Sequence, residues 1–271
     1  MPQLRRIWFA MVTRDSTDAG TDSRIALSIN DAQLNFHDTS QDDQERGKAN
    51  LYETNVTPGN INTDDLNNSA IRVLNLGADQ WAPQHFIVWG ETVDRAIFPL
   101  AAETDITKRL STNPNEGNAL LPLRTVGQGV EAAFTRLLFI MTTVDGDDPF
   151  IDFPTGTNDA INLTVRNSDG VPVVNFDIPN TSQDEQESGQ ANMYFVPAVA
   201  PFTRNDISRI SLSIGGEDAW RPESMFIFGL DGPAQSTERP TFLAPLVHLP
   251  NFSDLSTNTN EGQPTIQLPL L

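Results

Sequence analysis

The stretch GADQWAPQHFIVWG, residues 77–90, returns as GEDAWRPESMFIFG at 216–229. Each version has a turn-forming opening, a Trp-x-Pro step and an apolar run that closes on glycine. Three more stretches return around it. RIWFAMVTRD (6–15) matches RLLFIMTTVD (136–145), TSQDDQERGKANLY (39–52) matches TSQDEQESGQANMY (181–194), and LSTNPNEG (110–117) matches LSTNTNEG (255–262). Placed in chain order, the four pairs start 130, 142, 139 and 145 residues apart, and the order is the same in both halves. A repeat of this length means two whole domains, each with its own core, and not a stack of short units. The boundary falls near Gly127–Gly129, giving domains 1–128 and 129–271.

Within each half the apolar residues alternate with period two. Ile7/Phe9/Met11, Ile25/Leu27/Ile29 and Ile210/Leu212/Ile214 read as half-buried β-strands, the last with Ser211 and Ser213 between its apolar positions. Gly, Pro, Asn and Asp cluster between such runs at short intervals, where turns need them. No window has the spacing of a long amphipathic helix. Seven or eight short strands per half with turn signals between them predict an all-β fold of two tandem antiparallel sandwiches.

Composition narrows the function classes. The chain has 271 residues, 36 Asp+Glu against 17 Lys+Arg and a formal charge of −19. Nucleic-acid binding rests on Lys and Arg neutralising phosphates, so this surface predicts no nucleic-acid partner. An anionic membrane is repelled as well unless a cation lies between the two surfaces. The absence of Cys excludes disulfides, iron–sulfur ligation and thiolate zinc, and three His argue against a multi-histidine metal centre. With 15 Phe and 4 Trp the chain still has the material for packed cores. No apolar run approaches the roughly 18 residues of a spanning helix. The N-terminal apolar stretch ends too early, at Thr13, Arg14 and Asp15, for a signal peptide, and reads as a first strand. The compartment stays open: cytoplasmic, or exported by a non-standard route, with peripheral membrane attachment in either case an option.

Each half resembles a PLAT domain, the β-sandwich module attached to lipoxygenases, pancreatic-type lipases and polycystins and found as the C-terminal membrane-binding domain of alpha-toxin phospholipases C. The opening strand followed by Asp18-Ala-Gly-Thr-Asp22 is similar to the family's Ala-Gly-Thr-Asp turn, and Asp42-Asp-Gln-Glu-Arg-Gly47 to its Asn-Asp-Phe-Glu-Arg-Gly segment. Asp79-Gln-Trp-Ala-Pro83 and Asp218-Ala-Trp-Arg-Pro-Glu223 resemble its motif of an aromatic followed by Pro and an apolar strand. Arg95-Ala-Ile-Phe-Pro and the LSTN…NEG…LPL segments resemble its closing strand. The resemblance implies an eight-stranded sandwich that binds membranes or proteins, often with calcium, and has no catalytic residues of its own.

Calcium takes six to eight oxygen ligands from loops able to wrap it. Carried over from the toxin branch, the ligands fall on Asp18, Gly20, Asp42, Asp43 and Asp79 in the first half, with Gly20 offering a carbonyl. The second half departs: Pro154 replaces the first Asp, leaving Gly156, Asp184, Glu185 and Asp218, while Asp152 and Asp159 lie nearby without aligning. A weaker site, or none, is expected there. The competing reading for all of these acids is ordinary turn chemistry, which Asp favours for its own hydrogen bonds.

Four aromatics are candidates for membrane contact. Trp81 and Trp220 occupy equivalent places beside the acids, where either interfacial insertion or core packing accounts for them. Phe150 and Phe153 lie in DGDDPFIDFPTG (145–156), whose first-half counterpart STDAG (16–20) has no aromatic; a tip that enters lipid and a loop folded back on its own sandwich both fit. No Gly-x-Ser-x-Gly elbow, His-Glu-x-x-His motif or P-loop occurs. Asp42 and Asp43 are adjacent on one loop, whereas glycosidase carboxyls flank a bond from opposite sides. The expectation is a protein that is not an enzyme and binds membrane or lipid through calcium. Two alternatives stand beside it: a structural or protein-interaction module within a larger assembly, and an accessory subunit that delivers a separate lipid-modifying enzyme.

Overall fold

A computed structural model of the chain describes residues 2–30, 32–35, 44–57, 59–67, 70–129, 132–144, 156–179, 189–250 and 253–271. The fold is all-β, as the alternation predicts, with antiparallel sheets facing each other across a core. The chain divides into two compact units: unit 1 is Met1–Gln128 with Thr237–Pro240, and unit 2 is Gly129–Ser236 with Thr241–Leu271.

Unit 1 contains β1(Leu4–Thr13), β2(Ile25–Ile29), β3(Ala32–Asn35), β4(Ala49–Asn55), β5(Ile71–Asn75), β6(Pro83–Thr92), β7(Ile97–Glu103) and β8(Leu120–Pro122). In one sheet β1 lies between β4 and β6, and β7 pairs with the far edge of β6. In the other, β2 lies between β3 and β5, and β8 pairs with β5. Ile7, Phe9 and Met11 of β1 meet Ile25, Leu27 and Ile29 of β2 in the core between the sheets. Arg239, on the Thr237–Pro240 segment, donates to the carbonyls of Ala102 and Thr125 at 2.9 and 2.6 Å.

Unit 2 contains β9(Phe134–Thr143), β10(Ile161–Asn167), β11(Pro172–Asp177), β12(Ala191–Phe202), β13(Ile207–Ile214), β14(Pro222–Leu230), β15(Leu243–Pro250) and β16(Thr265–Leu268). Here β9 lies between β12 and β14, with β15 on β14. Opposite, β10 lies between β11 and β13, with β16 on β13. The β10–β11 hairpin shows how local sequence closes a turn. The Asn167 side-chain oxygen accepts the N–H groups of Asp169 and Val171 at 3.1 and 2.9 Å, and Gly170 takes the left-handed φ of +76° that a β-carbon makes costly.

The half-buried reading holds for β13, where Ile210, Leu212 and Ile214 are buried between half-buried serines. It does not hold for β1. Trp8 and Ala10 are buried along with Ile7, Phe9 and Met11. Trp8 stacks on its register partner Trp89 of β6, with ring centroids 6.3 Å apart and planes inclined by 13°, so these two strands are apolar on both faces. The LSTN–NEG segments, read as part of a closing strand, are loops; the strand that follows the first of them is Leu120–Pro122. Among the described residues no helix is long and apolar enough to cross a membrane.

Candidate functional site

One end of unit 1 is built from the loop 14–24 between β1 and β2, the segment 44–48 leading into β4, and the loop 76–82 between β5 and β6. Gly20 lies so close to the second of these that an added β-carbon would stand 3.2 Å from the Gln44 carbonyl oxygen. The first and third loops are stitched together: the Asp22 N–H donates to Asp79 Oδ2 at 2.9 Å, and Thr21 and Ser23 hydroxyls both donate to the Asp79 carbonyl at 3.3 Å. The Asn75 amide, itself buried, donates to that same carbonyl and to the carbonyl of Leu110, each at 2.9 Å. Asp79 is therefore positioned by its backbone, while its exposed carboxylate holds one backbone N–H and has a second oxygen to offer.

Asp18 is exposed at the turn of loop 14–24 with a φ of +56°, the left-handed region that Asp tolerates better than most residues. Its carbonyl accepts the Arg109 guanidinium at 3.3 Å, and Arg109 also donates to Gln80 Oε1. A cation of the chain itself thus lies on the backbone of one candidate acid, Asp18. The structure brings Asp18, Gly20 and Asp79 to one end of the sandwich; Asp42 and Asp43 lie outside the described residues. Among the described residues no three His, Asp or Glu side chains form a group able to hold a metal ion.

In unit 2 the same junction is made with the roles exchanged. The Asp218 N–H donates to Asp159 Oδ2 at 2.8 Å, and Thr157 donates to the Asp218 carbonyl at 3.5 Å. Asp159 therefore joins the two loops although it does not align with the first-half acid. The readable signal is Thr157-x-Asp159 standing for Thr21-x-Ser23: in both, the threonine hydroxyl accepts the N–H two residues on, at 3.0 Å. Asp218 is exposed and Gly156 half-buried, whereas Asp184 and Glu185 lie outside the described residues.

Trp81 and Trp220 are not membrane contacts in this fold. Both are 0% exposed, and each indole N–H donates at 3.0 Å to a buried threonine hydroxyl at the end of the first strand of its unit, Thr13 or Thr143. Trp81 packs edge-on against Phe86 at 5.4 Å, and its backbone pairs with Leu110 as that of Trp220 does with Leu255. The indole is kept in both halves because it fills a core and has its one polar atom satisfied. Phe150 and Phe153 lie outside the described residues.

The LSTN–NEG loops brace the same corner. Ser111 donates to the Ala78 carbonyl and Ser256 to that of Glu217, at 2.7 and 2.9 Å. Asn113 and Asn258 cap the turn that follows by accepting N–H groups of Asn115 and Asn260. Gly117 and Gly262 admit no side chain: a β-carbon would lie 2.5 Å from the backbone oxygen of Arg109 or Asp254. Beside the unit 2 loop lies a cleft of about 400 Å³, lined by Glu217, Asp218, Ala219, Arg221, Asp254 and Glu261. Arg221 and Asp254, both in its lining, form a two-bond ion pair at 2.7 and 2.6 Å, and the hydrogen bonds that the guanidinium donates to Asp254 hold its pKa above its ordinary value.

His85, on β6, is buried, and its Nδ1 accepts the Asp105 N–H at 3.3 Å. Burial lowers its pKa to about 4 against the opposing pull of the Asp105 charge, so the ring is neutral at neutral pH.

No family model matches the chain, and no curated protein does. Among solved structures it is similar to alpha toxin from Clostridium absonum at 14% identity and a TM-score of 0.36, over 51% of this chain. The match spans about a third (32%) of the toxin chain, and a likeness at that score says nothing of what this chain does.

Proposed function

We propose that the protein is a non-catalytic binding protein of two PLAT-like sandwiches, in which the loop end of unit 1 binds calcium and, through it, the phosphates of a lipid surface. The observation that carries this reading is the stitching of Asp22 N–H to Asp79 Oδ2 at 2.9 Å, with Gly20 packed against Gln44. It brings an exposed Asp18, the Gly20 backbone, an exposed Asp79 and the segment directly following Asp42 and Asp43 to one end of one sandwich. Asp18, Gly20 and Asp79 alone supply fewer oxygens than the six to eight calcium takes, so Asp42 and Asp43 are required as ligands. The bound ion would convert an end that repels phosphate into one that attracts it, which a chain of net charge −19 needs at an anionic surface.

A protein-interaction role is the second reading, favoured by the Arg109 guanidinium on the Asp18 carbonyl and by the burial of two of the four candidate lipid-contact aromatics. Sedimentation with phosphatidylserine-containing vesicles decides between them. The lipid reading expects the protein to pellet in millimolar calcium and to stay in solution with chelator. Pelleting that chelator leaves unchanged overturns the calcium bridge, and no pelleting in either condition overturns the lipid reading and leaves the protein-interaction role.

A further inference from the structure

The end of unit 2 away from Asp159 and Asp218 is built unlike the same end of unit 1. β12 pairs with β9 at Pro197 with Arg136 and again at Phe202 with Phe134, so Ala198-Val199-Ala200-Pro201 face the single Thr135. This bulge is held at both sides: Val196 is buried, and Phe202 is buried edge-on against Phe134 at 5.5 Å. Ala200 and Pro201 are exposed, and Val199 is 79% exposed. Unit 1 has the turn residues Thr57-Pro-Gly-Asn60 at this place after β4. Val171, on the β10–β11 turn of the same end, is 54% exposed. Three arginines share the end. Arg166 of β10 stands directly opposite Arg209 of β13, and Arg204 opens the helical turn Arg204–Asp206 between β12 and β13. The corresponding residues of unit 1 are Asn30, Ala70 and Thr63. Like charges directly opposed on a sheet are destabilising, and no ion pair relieves these three among the described residues. Arg166 donates to the Gly170 carbonyl at 2.8 Å, Arg204 to that of Pro245 at 3.4 Å, and Arg209 to no described group. Of the acids at this end, Asp206 and Asp231 each hold the N–H and hydroxyl of a threonine, Thr203 or Thr241, and Asp169 is exposed on the β10–β11 turn.

We infer that this end of unit 2 docks an acidic segment of a protein partner that also carries apolar side chains. The chain has 36 acids against 17 bases, and here three arginines and an extruded apolar bulge coincide. Guanidinium forks match carboxylates two bonds at a time, and the core of a protein interface is enriched in Arg and depleted of Lys. The three cations are all Arg, and the bulge supplies the apolar contact that groups its exposed side chains. A bilayer fits this end less well. Lipid interfaces favour Trp and Tyr, and no aromatic is exposed here among the described residues. Arg166 and Arg209 stand on the outer face of one sheet while the bulge leaves the facing sheet, so an occupant reaches both only by wrapping the end. An extended segment with acids on alternate residues does this, presenting carboxylates to one side and apolar groups to the other. The inference rests on neither calcium nor unit 1.

The test is an amide-resolved NMR titration of the full chain in chelator. The probes are acetyl-Glu-Val-Glu-Leu-Glu-Val-amide, its Glu-Ser-Glu-Ser-Glu-Ser analogue and its Lys-Val-Lys-Leu-Lys-Val analogue. The expected result is saturable shifts confined to 166–173 and 197–209, the first peptide several-fold tighter than the second and the third without effect. Arg209→Glu removes one guanidinium and sets an acid against the other, so it should abolish the shifts while the urea midpoint holds or rises. Val199→Ser, at an exposed position, should weaken binding several-fold at an unchanged midpoint. No shifts in those segments with the first peptide, equal affinity for the first two peptides, or affinities that both variants leave unchanged overturn the inference. The same variants decide the occupant. A concentration-dependent mass in sedimentation velocity that both variants abolish assigns the surface to a second copy and overturns the partner. Pelleting with phosphatidylserine vesicles in chelator that both variants abolish assigns it to lipid and does the same. A monomer that stays in solution with vesicles and binds the first peptide supports the partner.

Discussion

Thr13→Val isolates the bond that fixes Trp81. Both residues are 0% exposed, and the hydroxyl accepts the indole N–H at 3.0 Å. Valine has nearly the shape of threonine, so packing is retained and the lost element is the acceptor. The indole N–H is then left buried without a partner, which costs about 1–3 kcal/mol; at about 2 kcal/mol the folding equilibrium falls about 30-fold. Trp81→Phe keeps an edge-on ring near Phe86 and removes both the N–H and part of the volume, for roughly 2–4 kcal/mol. Because the two residues share one bond, the double variant should be less destabilised than the sum by about 1 kcal/mol. Urea unfolding followed by far-UV dichroism and tryptophan emission gives the three differences, and Thr143→Val repeats the test on Trp220. A Thr13→Val variant as stable as wild type, or singles that add without coupling, would refute the assignment of the indole as a core pin held by its hydrogen bond.

Three other outcomes follow from the same geometry. Gly117→Ala and Gly262→Ala each drive a β-carbon to 2.5 Å from a backbone oxygen and should cost about 1–3 kcal/mol each in urea midpoints, in contrast to ordinary surface Gly→Ala changes. The buried His85 binds its proton less readily folded, at about 4, than unfolded, near 6.5, so the stability its neutral form contributes is present above about 6.5 and lost as pH falls towards 4. The gap corresponds to about 3 kcal/mol, and the difference between wild type and His85→Gln in urea midpoints should shrink across that window; a pH-independent difference contradicts the burial argument. Asp79→Asn keeps an oxygen for the Asp22 N–H, whereas Asp79→Ala does not, so alanine should be less stable than asparagine by about 1 kcal/mol in the same assay.

The all-β fold was legible because alternation is a local signal: Ile210, Leu212 and Ile214 declare their strand within five residues. The stack of Trp8 on Trp89 was not, since it joins residues 81 positions apart whose pairing only the register supplies. The junction of loops 14–24 and 76–82 could be looked for only because the resemblance groups Asp18, Gly20 and Asp79 in one ligand set; no local pattern of these residues declares the bond from the Asp22 N–H to Asp79. The part of Asp159 was not legible, because a hydrogen-bond acceptor can move from one loop to the facing one without changing the geometry, and alignment sees only the loop it left. Trp81 and Trp220 show the limit most plainly. An aromatic beside acidic loops has the same sequence signature whether it points to lipid or inward, and the deciding atom is the Thr13 or Thr143 hydroxyl, about 70 residues away in the chain. Arg109 drew no attention in the sequence because a lone arginine before a leucine has no motif; its meaning appears only against Gln80 and Asp18.

Calcium titration by calorimetry, on wild type and on Asp18→Asn/Asp79→Asn, tests the proposed function most directly. The asparagines retain the local hydrogen-bond acceptors and remove two charges, so the variant isolates the ion from the loop structure. The account predicts saturable calcium binding to wild type and its loss in the variant, at unchanged urea midpoints. No calcium heat in wild type, or equal binding in the variant, contradicts it and returns these acids to turn chemistry and surface charge.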